Sequence, residues 1–254
     1  MRIIAPLPVL ALTLVLWVSG CQVSSAPAPH GALLLRNATV IDGTGAPGRP
    51  GTSLLIENGR IARIIPPGQP LPRAAREIDA TGRYVIPGLI DTHVHLCADN
   101  GPRALEQLAD LDTDQVEGIV TRSLRQHLAA GVTTVRDLGD AHWAVVDRRP
   151  EPGAGPTVVA AGPPITSVRG HCWWLGGEVA GVEELRRAVR ERADHGADVV
   201  KIMASGGVMS PGTDVLAGQF TLEELRAVVE EAHALGLPVT AHAHPLTAVE
   251  ACFS

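Results

Sequence analysis

Aromatic side chains are scarce: Phe, Trp and Tyr together make 3% of the 254 residues. This counts against stacking platforms for bases and against a sugar cleft lined with rings. Basic charge is not in excess either, since 21 Lys and Arg face 27 Asp and Glu for a net charge of -6. No nucleic-acid partner is expected from such a balance. The four cysteines contain no CxxC pair, so a zinc knuckle is unsupported, and an odd remainder argues against a disulfide scaffold. Cys97, Cys172 and Cys252 are assigned no pairing. What the chain does have is 45% hydrophobic residues, enough for a sizeable core.

The first residues read as an export signal and not as part of the fold. Arg2 precedes an apolar run from Ile3 to Val18, which is short for a membrane-spanning helix. The run ends in Val18-Ser19-Gly20-Cys21, which resembles a bacterial lipobox and would make Cys21 the lipidated N-terminus of the mature protein. The other reading is an ordinary signal peptide cut near Ala26 or Ala28. Ser24 to Pro29 then forms a tether. The expected organisation is a signal peptide with lipobox over 1–21, a linker over 22–31, a β-domain over 32–86 and an α/β domain over 87–254. The expected location is outside the cytoplasm, held at the membrane by the lipid on Cys21.

From Ala32 to about Tyr84 short β-type runs are broken by turn residues: Leu33 to Leu35, Thr39 to Asp42, Ser53 to Glu57 and Arg60 to Ile65. Asn58-Gly59 supplies the positive φ angles of a two-residue hairpin turn. This segment is expected to form a small sandwich-like β-domain. After Pro87-Gly88 the pattern becomes alternating strand and helix. Strands are expected at Leu89 to His95, Thr133 to Asp137, Thr157 to Ala161, Val199 to Met203 and Pro238 to His242. Helices are expected at about Thr113 to Ala130, Val182 to His195 and Thr221 to Leu235. Thr221 and Glu224 make a capping box, and Gly131, Gly196 and Gly236 each follow a helix end. Five such units fit either a doubly wound sheet or part of an eight-stranded barrel, and periodicity alone does not separate the two.

Three strand ends carry the chemistry. In Asp91-Thr92-His93-Val94-His95, alternation puts both imidazoles on one side of the strand. They could be metal ligands or hydrogen-bonded core histidines. His242 and His244 repeat the pattern at the last strand. Lys201 lies within the apolar run Val199 to Met203, where an ammonium ion is costly to bury without a partner. A lysine reaching solvent, a Schiff-base amine, or an amine converted to an anionic metal ligand would each explain it. Four histidines and one lysine at three ends of one βα series favour a shared metal site.

The run Pro87 to His95 resembles the signature that opens the barrel of the amidohydrolase superfamily. The strands Gly131 to Asp137 and Val200 to Met203 are similar to those of its imidazolonepropionase-like and Xaa-Pro dipeptidase-like branch. The resemblance implies an α/β fold, a partial (β/α)8 barrel of about five βα units beside the β-domain. It also implies metal-dependent hydrolysis of the C–N bond of amides, cyclic amides or dipeptides by a metal-activated hydroxide. His93 and His95 would hold the more buried metal, carboxylated Lys201 would bridge to a second, and His242 would bind that second ion. Zinc is the default, with one or two ions per site. His171, in the loop Arg169 to Trp174, and His244 would face a small-molecule or dipeptide substrate.

The same resemblance calls for a histidine after a sixth strand and a proton-shuttling aspartate after an eighth, both beyond Ser254. Pro245 also stands where related sequences carry glycine. The sequence ends inside an expected helix, so the expectation is a barrel that stops short. An inactive fragment with exposed strand edges is the first alternative, and a metal-free Schiff-base lyase using Lys201 is the second.

Overall fold

The computed structural model describes residues 31–99, 101 and 104–253. The export signal, the lipobox Cys21 and the tether lie outside the described residues. The chain falls into two units that divide between Pro87 and Gly88.

The first unit is a five-stranded sheet. Its strands are β1 (Leu33–Val40), β2 (Arg49–Glu57), β3 (Arg60–Ile65), β4 (Arg76–Asp79) and β5 (Tyr84–Val85). The order is β3-β2-β1-β4, with β5 also paired to β1. The β2–β3 hairpin turns at Asn58-Gly59, and both residues have positive φ. Both faces of the sheet carry a core: Leu34, Leu55 and Ile65 pack on one side, Ala38, Val40 and Leu54 on the other. The neighbours Leu54 and Leu55 point to opposite faces, as the two-residue period of a strand requires.

In the second unit the parallel strands are β6 (Leu89–Val94), β7 (Val132–Asp137), β8 (Thr157–Ala160), β9 (Val200–Met203) and β10 (Val239–His242). The helices are α1 (Ala104–Gln107), α2 (Thr113–Ala129), α3 (Ala144–Asp147), α4 (Val182–Asp194), α5 (Leu222–Ala234) and α6 (Leu246–Phe253). β6 pairs with β7, β7 with β8, and β9 with β10, all in parallel. The step from β8 to β9 is made by the Asp198 amide donating to Ala160 O at 2.8 Å and by a parallel bridge between Ile165 and Ile202. Every strand therefore lies beside its successor in the chain. A doubly wound sheet reverses strand order at its switch point. Here the order never reverses, so the unit is five successive βα steps of a (β/α)8-type barrel.

The helices start and stop where local chemistry says they should. Asp112 caps α2 and Thr221 caps α5, each in a reciprocal capping box with the residue three further on. Gly131, Gly196 and Gly236 follow α2, α4 and α5 with positive φ. Val116, Val120 and Leu124 of α2 join Val135 and Val158 in one core cluster. Leu185, Ala188 and Val189 of α4 join Leu225 and Val228 of α5 and Val200 and Ile202 of β9 in another. Arg186 bridges α4 to α5 through Glu230 at 2.9 Å and Glu231 at 3.3 Å. This packing anchors β9, which is buried along its whole length, while β6 and β10 are partly exposed. Among the described residues no helix is long and apolar enough to cross a membrane.

Candidate metal centre

The C-terminal end of β6 delivers His93 and His95, with ring centroids 5.5 Å apart. His95 Nδ1 donates to Gly139 O at 2.8 Å, which leaves Nε2 as a lone-pair donor for a metal. That carbonyl is itself held in place. The carboxylate of Asp137, at the end of β7, accepts from the Leu96 amide at 2.6 Å and the Gly139 amide at 3.1 Å. Asp137 thus ties the residue after His95 to the turn that orients His95. Burial, and next the nearby Asp140, push the Asp137 carboxyl well above the usual carboxylate range. Gly139 is also needed for space, because a Cβ there would stand 3.0 Å from His95 Cε1 and 3.1 Å from Nδ1.

Lys201, on β9, is the one lysine in the whole sequence; every other Lys or Arg among the 21 is arginine. It is 2% exposed. Its ammonium has no hydrogen-bond or ion-pair partner among the described residues. Burial lowers its pKa to about 8, the Cys172 thiol opposes that shift, and the Arg136 charge adds to it. About a tenth of the amine is therefore neutral at pH 7, far more than for an ordinary lysine. Arginine stays charged at any ordinary pH and could not supply that form.

β10 ends in His242, and His244 follows two residues later; the two rings are 4.9 Å apart. His242 Nε2 donates to Gly206 O at 3.2 Å, so its Nδ1 carries the free lone pair. The His244 amide donates to Ser205 Oγ at 3.0 Å, and this residue is exposed. His171 comes from the loop after β8, yet its ring lies 4.3 Å from that of His242. The structure therefore gathers His93, His95, His171, Lys201, His242 and His244 at one end of neighbouring strands, within electrostatic reach of one another.

The electrostatics of this group fit a metal. His93 is exposed at the strand end, and partial desolvation followed by the charges of Lys201, His95, Arg136 and His242 lowers its pKa to about 4. Burial and then His242 and Lys201 lower His171 to about 4. His95 and His242 are lowered as well, again chiefly by burial. A cluster of imidazoles with one lysine and no carboxylate repels protons, and neutral imidazole is the form that ligates. Among the described residues no three His, Cys, Asp or Glu side chains converge into a closed metal-binding group. The strand-end imidazoles stand as two pairs on either side of Lys201. Cys97, Cys172 and Cys252 are free thiols.

Asp137, Ser205, Ser210 and Gln219 were not legible as site residues. Gln219 Oε1 accepts from the His171 amide at 2.6 Å, and its Nε2 donates to Met203 O at 2.6 Å. No local motif marks a glutamine that meets its partner 48 residues away. The only available signal was for Asp137, an acid closing the strand Val132–Asp137.

The profile of the amidohydrolase family matches residues 84–252. The ochratoxinase of Aspergillus niger is 30% identical over 245 residues, covering 81% of this chain and 48% of the relative. The imidazolonepropionase of Symbiobacterium thermophilum is 28% identical over 260 residues, covering 90% of this chain and 58% of the relative. The chain thus spans about half the length of the curated relatives it matches. A solved Xaa-Pro dipeptidase with bound methionine in its active site superposes with a TM-score of 0.78 at 28% identity, over 87% of this chain and 59% of that one. The signature run at the end of β6, the consecutive parallel strands and these matches agree, and the chain belongs to the amidohydrolase family.

Proposed function

We propose that this chain carries the first half of a metal-dependent hydrolase of C–N bonds, acting on an amide, cyclic amide or dipeptide. The observation that carries this reading is the convergence of two His-x-His strand ends on the sole lysine, with every shifted histidine kept toward its neutral form by partial desolvation and by the surrounding positive charge. His93, His95, Lys201 and His242 would hold one or two divalent ions, zinc by default. Such an ion supplies Lewis acidity that acidifies a water and polarises a carbonyl. The ochratoxinase, imidazolonepropionase and Xaa-Pro dipeptidase relatives support a small amide-type or dipeptide substrate.

The residues of this chain have distinct tasks in that reading. Neutral Lys201 Nζ adds to the carbon of dissolved carbon dioxide and releases one proton, giving a carbamate. An unpartnered buried cation becomes an anionic oxygen ligand, which suits a divalent ion. His95 is oriented for ligation by Gly139 O, and His242 by Gly206 O. His171 and His244 face the substrate. A Schiff base at Lys201 would use the same neutral amine, but it gives no task to two convergent imidazole pairs. Cys21 would anchor the protein to a membrane outside the cytoplasm.

Two measurements on the whole chain test the metal reading. Zinc titrated into chelator-treated protein should bind tightly, and His93→Asn with His95→Asn should abolish that binding. Growth on lysine labelled with carbon-13, followed by bicarbonate addition, should give a single carbamate-shifted Nζ-methylene signal, because the chain holds one lysine. Absence of zinc binding, or binding indifferent to both substitutions, would overturn the assignment. A borohydride-trapped adduct at Lys201 would favour the lyase.

A further inference from the structure

The hydroxyl of Ser210, in the β9–α5 loop, lies 2.5 Å from His171 Nδ1 and 3.0 Å from the Cys172 amide nitrogen. Ser210 is 2% exposed and His171 7%, so bulk water does not share these contacts. A hydroxyl has one proton and two lone pairs. The Cys172 amide can only donate, so it occupies one lone pair. Were Nδ1 protonated, it would take the second, and the Ser210 proton would have no acceptor among the described residues. Donation from Ser210 to Nδ1 satisfies all three groups at once, which is how buried polar atoms are almost always found.

One rival donor stands near. Cys172 Sγ approaches His171 Nε2 at 3.5 Å and Nδ1 at 3.7 Å. A thiol is a weak donor, and these contacts are an ångström longer than the hydroxyl contact, so the hydroxyl sets the proton's place. The ring has little freedom to evade this choice. A Cβ built on Gly207 would overlap the His171 ring, so the ring packs directly on that backbone, and Gln219 Oε1 accepts from the His171 amide.

We propose that Ser210 is a positioning residue that fixes His171 in the Nε2–H tautomer, so that the ring offers an N–H donor to a substrate oxygen instead of a lone pair to a metal. The inference rests on the reading that His171 faces substrate, and it narrows the ligand: the group recognised at His171 must be an acceptor, such as an amide carbonyl or a carboxylate oxygen. It also separates His171 from His95 and His242, whose protonated nitrogens point at backbone carbonyls and whose lone pairs face the other way.

The test is nitrogen-15 NMR of the whole chelator-treated chain with labelled histidine, at mildly alkaline pH where the rings are neutral. The His171 signals are assigned by their loss in His171→Gln. The expected spectrum shows an unprotonated Nδ1 and a protonated Nε2. Ser210→Ala should move His171 toward a mixture of tautomers or the opposite one, and Ser210→Thr, which keeps the hydroxyl, should restore the native signals. A protonated Nδ1 in the wild-type chain overturns the proposal, whether or not the alanine variant folds. So does a tautomer unchanged in folded Ser210→Ala. Because the readout needs neither metal nor turnover, failure to bind zinc would sink the hydrolase reading and leave this result standing.

Discussion

Asp140 offers the sharpest test of the electrostatics behind the site. It follows β7, is fully buried, and accepts through Oδ2 from the Val145 amide at 2.8 Å and the Val146 amide at 3.3 Å. Its Oδ1 has no hydrogen-bond partner. Burial raises its pKa from 3.8 to about 6, against the two amides that lower it. A carboxyl whose folded pKa is raised binds its proton more tightly in the native state. Its contribution is therefore full below pH 3.8 and is lost as pH rises through 6. A shift of roughly 2 units at 1.36 kcal/mol each is about 3 kcal/mol. Asp140→Asn keeps an oxygen for the two amides and cannot ionise. Its stability relative to wild type should therefore rise by about 3 kcal/mol between acid and neutral pH, whatever constant cost the unpartnered amide group brings. For a unit of this size that is a Tm difference changing by roughly 6–12 °C. Thermal melts of both proteins across that range decide it. Melting curves that stay parallel with pH would refute the reasoning.

Gly139→Ala places a Cβ against the His95 ring and strains a glycine with φ of +156°, so zinc affinity should fall roughly tenfold or more, as loss of an orienting contact does, read by competition with a chelator. Lys201→Arg puts a permanently charged group into a buried site with no acidic partner and should cost about 3 kcal/mol, whereas Lys201→Met should be neutral or stabilising; urea unfolding separates them. Both variants should lose the carbamate signal. Cys21→Ser should move the exported protein from the membrane to the soluble fraction if the lipobox is used, as detergent phase partitioning would show.

The elements most legible in the sequence were those whose ends carry their own chemistry. The capping box at Thr221, and the glycines after α2, α4 and α5, bounded three helices within a residue, while the box at Asp112 came to light only in the structure. β1 was harder, because it reads as two runs separated by Asn37. In the structure it is one strand in which Asn37 adopts a φ of +60° and the pairing with β2 shifts register between Leu35 and Ala38. A bulge of this kind breaks the alternation that sequence reading depends on. β4, Arg76–Asp79, escaped notice because all four residues are exposed and only one is apolar; its strand character comes from pairing with β1 across about 40 residues. Barrel against doubly wound sheet was likewise a question of which strand lies beside which, and that is not encoded locally.

The site divides along the same line. His93, His95, His242 and His244 were legible because strand alternation converts a spacing of two into a shared direction. Lys201 carried a second signal that its apolar context only hinted at. A sequence that meets almost every other need for a cation with arginine keeps its one lysine where burial and a nearby arginine hold an amine partly deprotonated. Arginine can replace lysine in a salt bridge or on a solvated helix face, but not where the neutral amine is the reactive species. Composition therefore points to the same residue as geometry, by an independent route. The groups that hold these histidines in place, Asp137, Ser205, Ser210 and Gln219, have no comparable mark. Each is an ordinary polar residue whose role exists only once strand ends 39 to 48 residues apart are brought together. The clustering of these side chains can thus be read from spacing, while the protonation state each one adopts is a property of the fold.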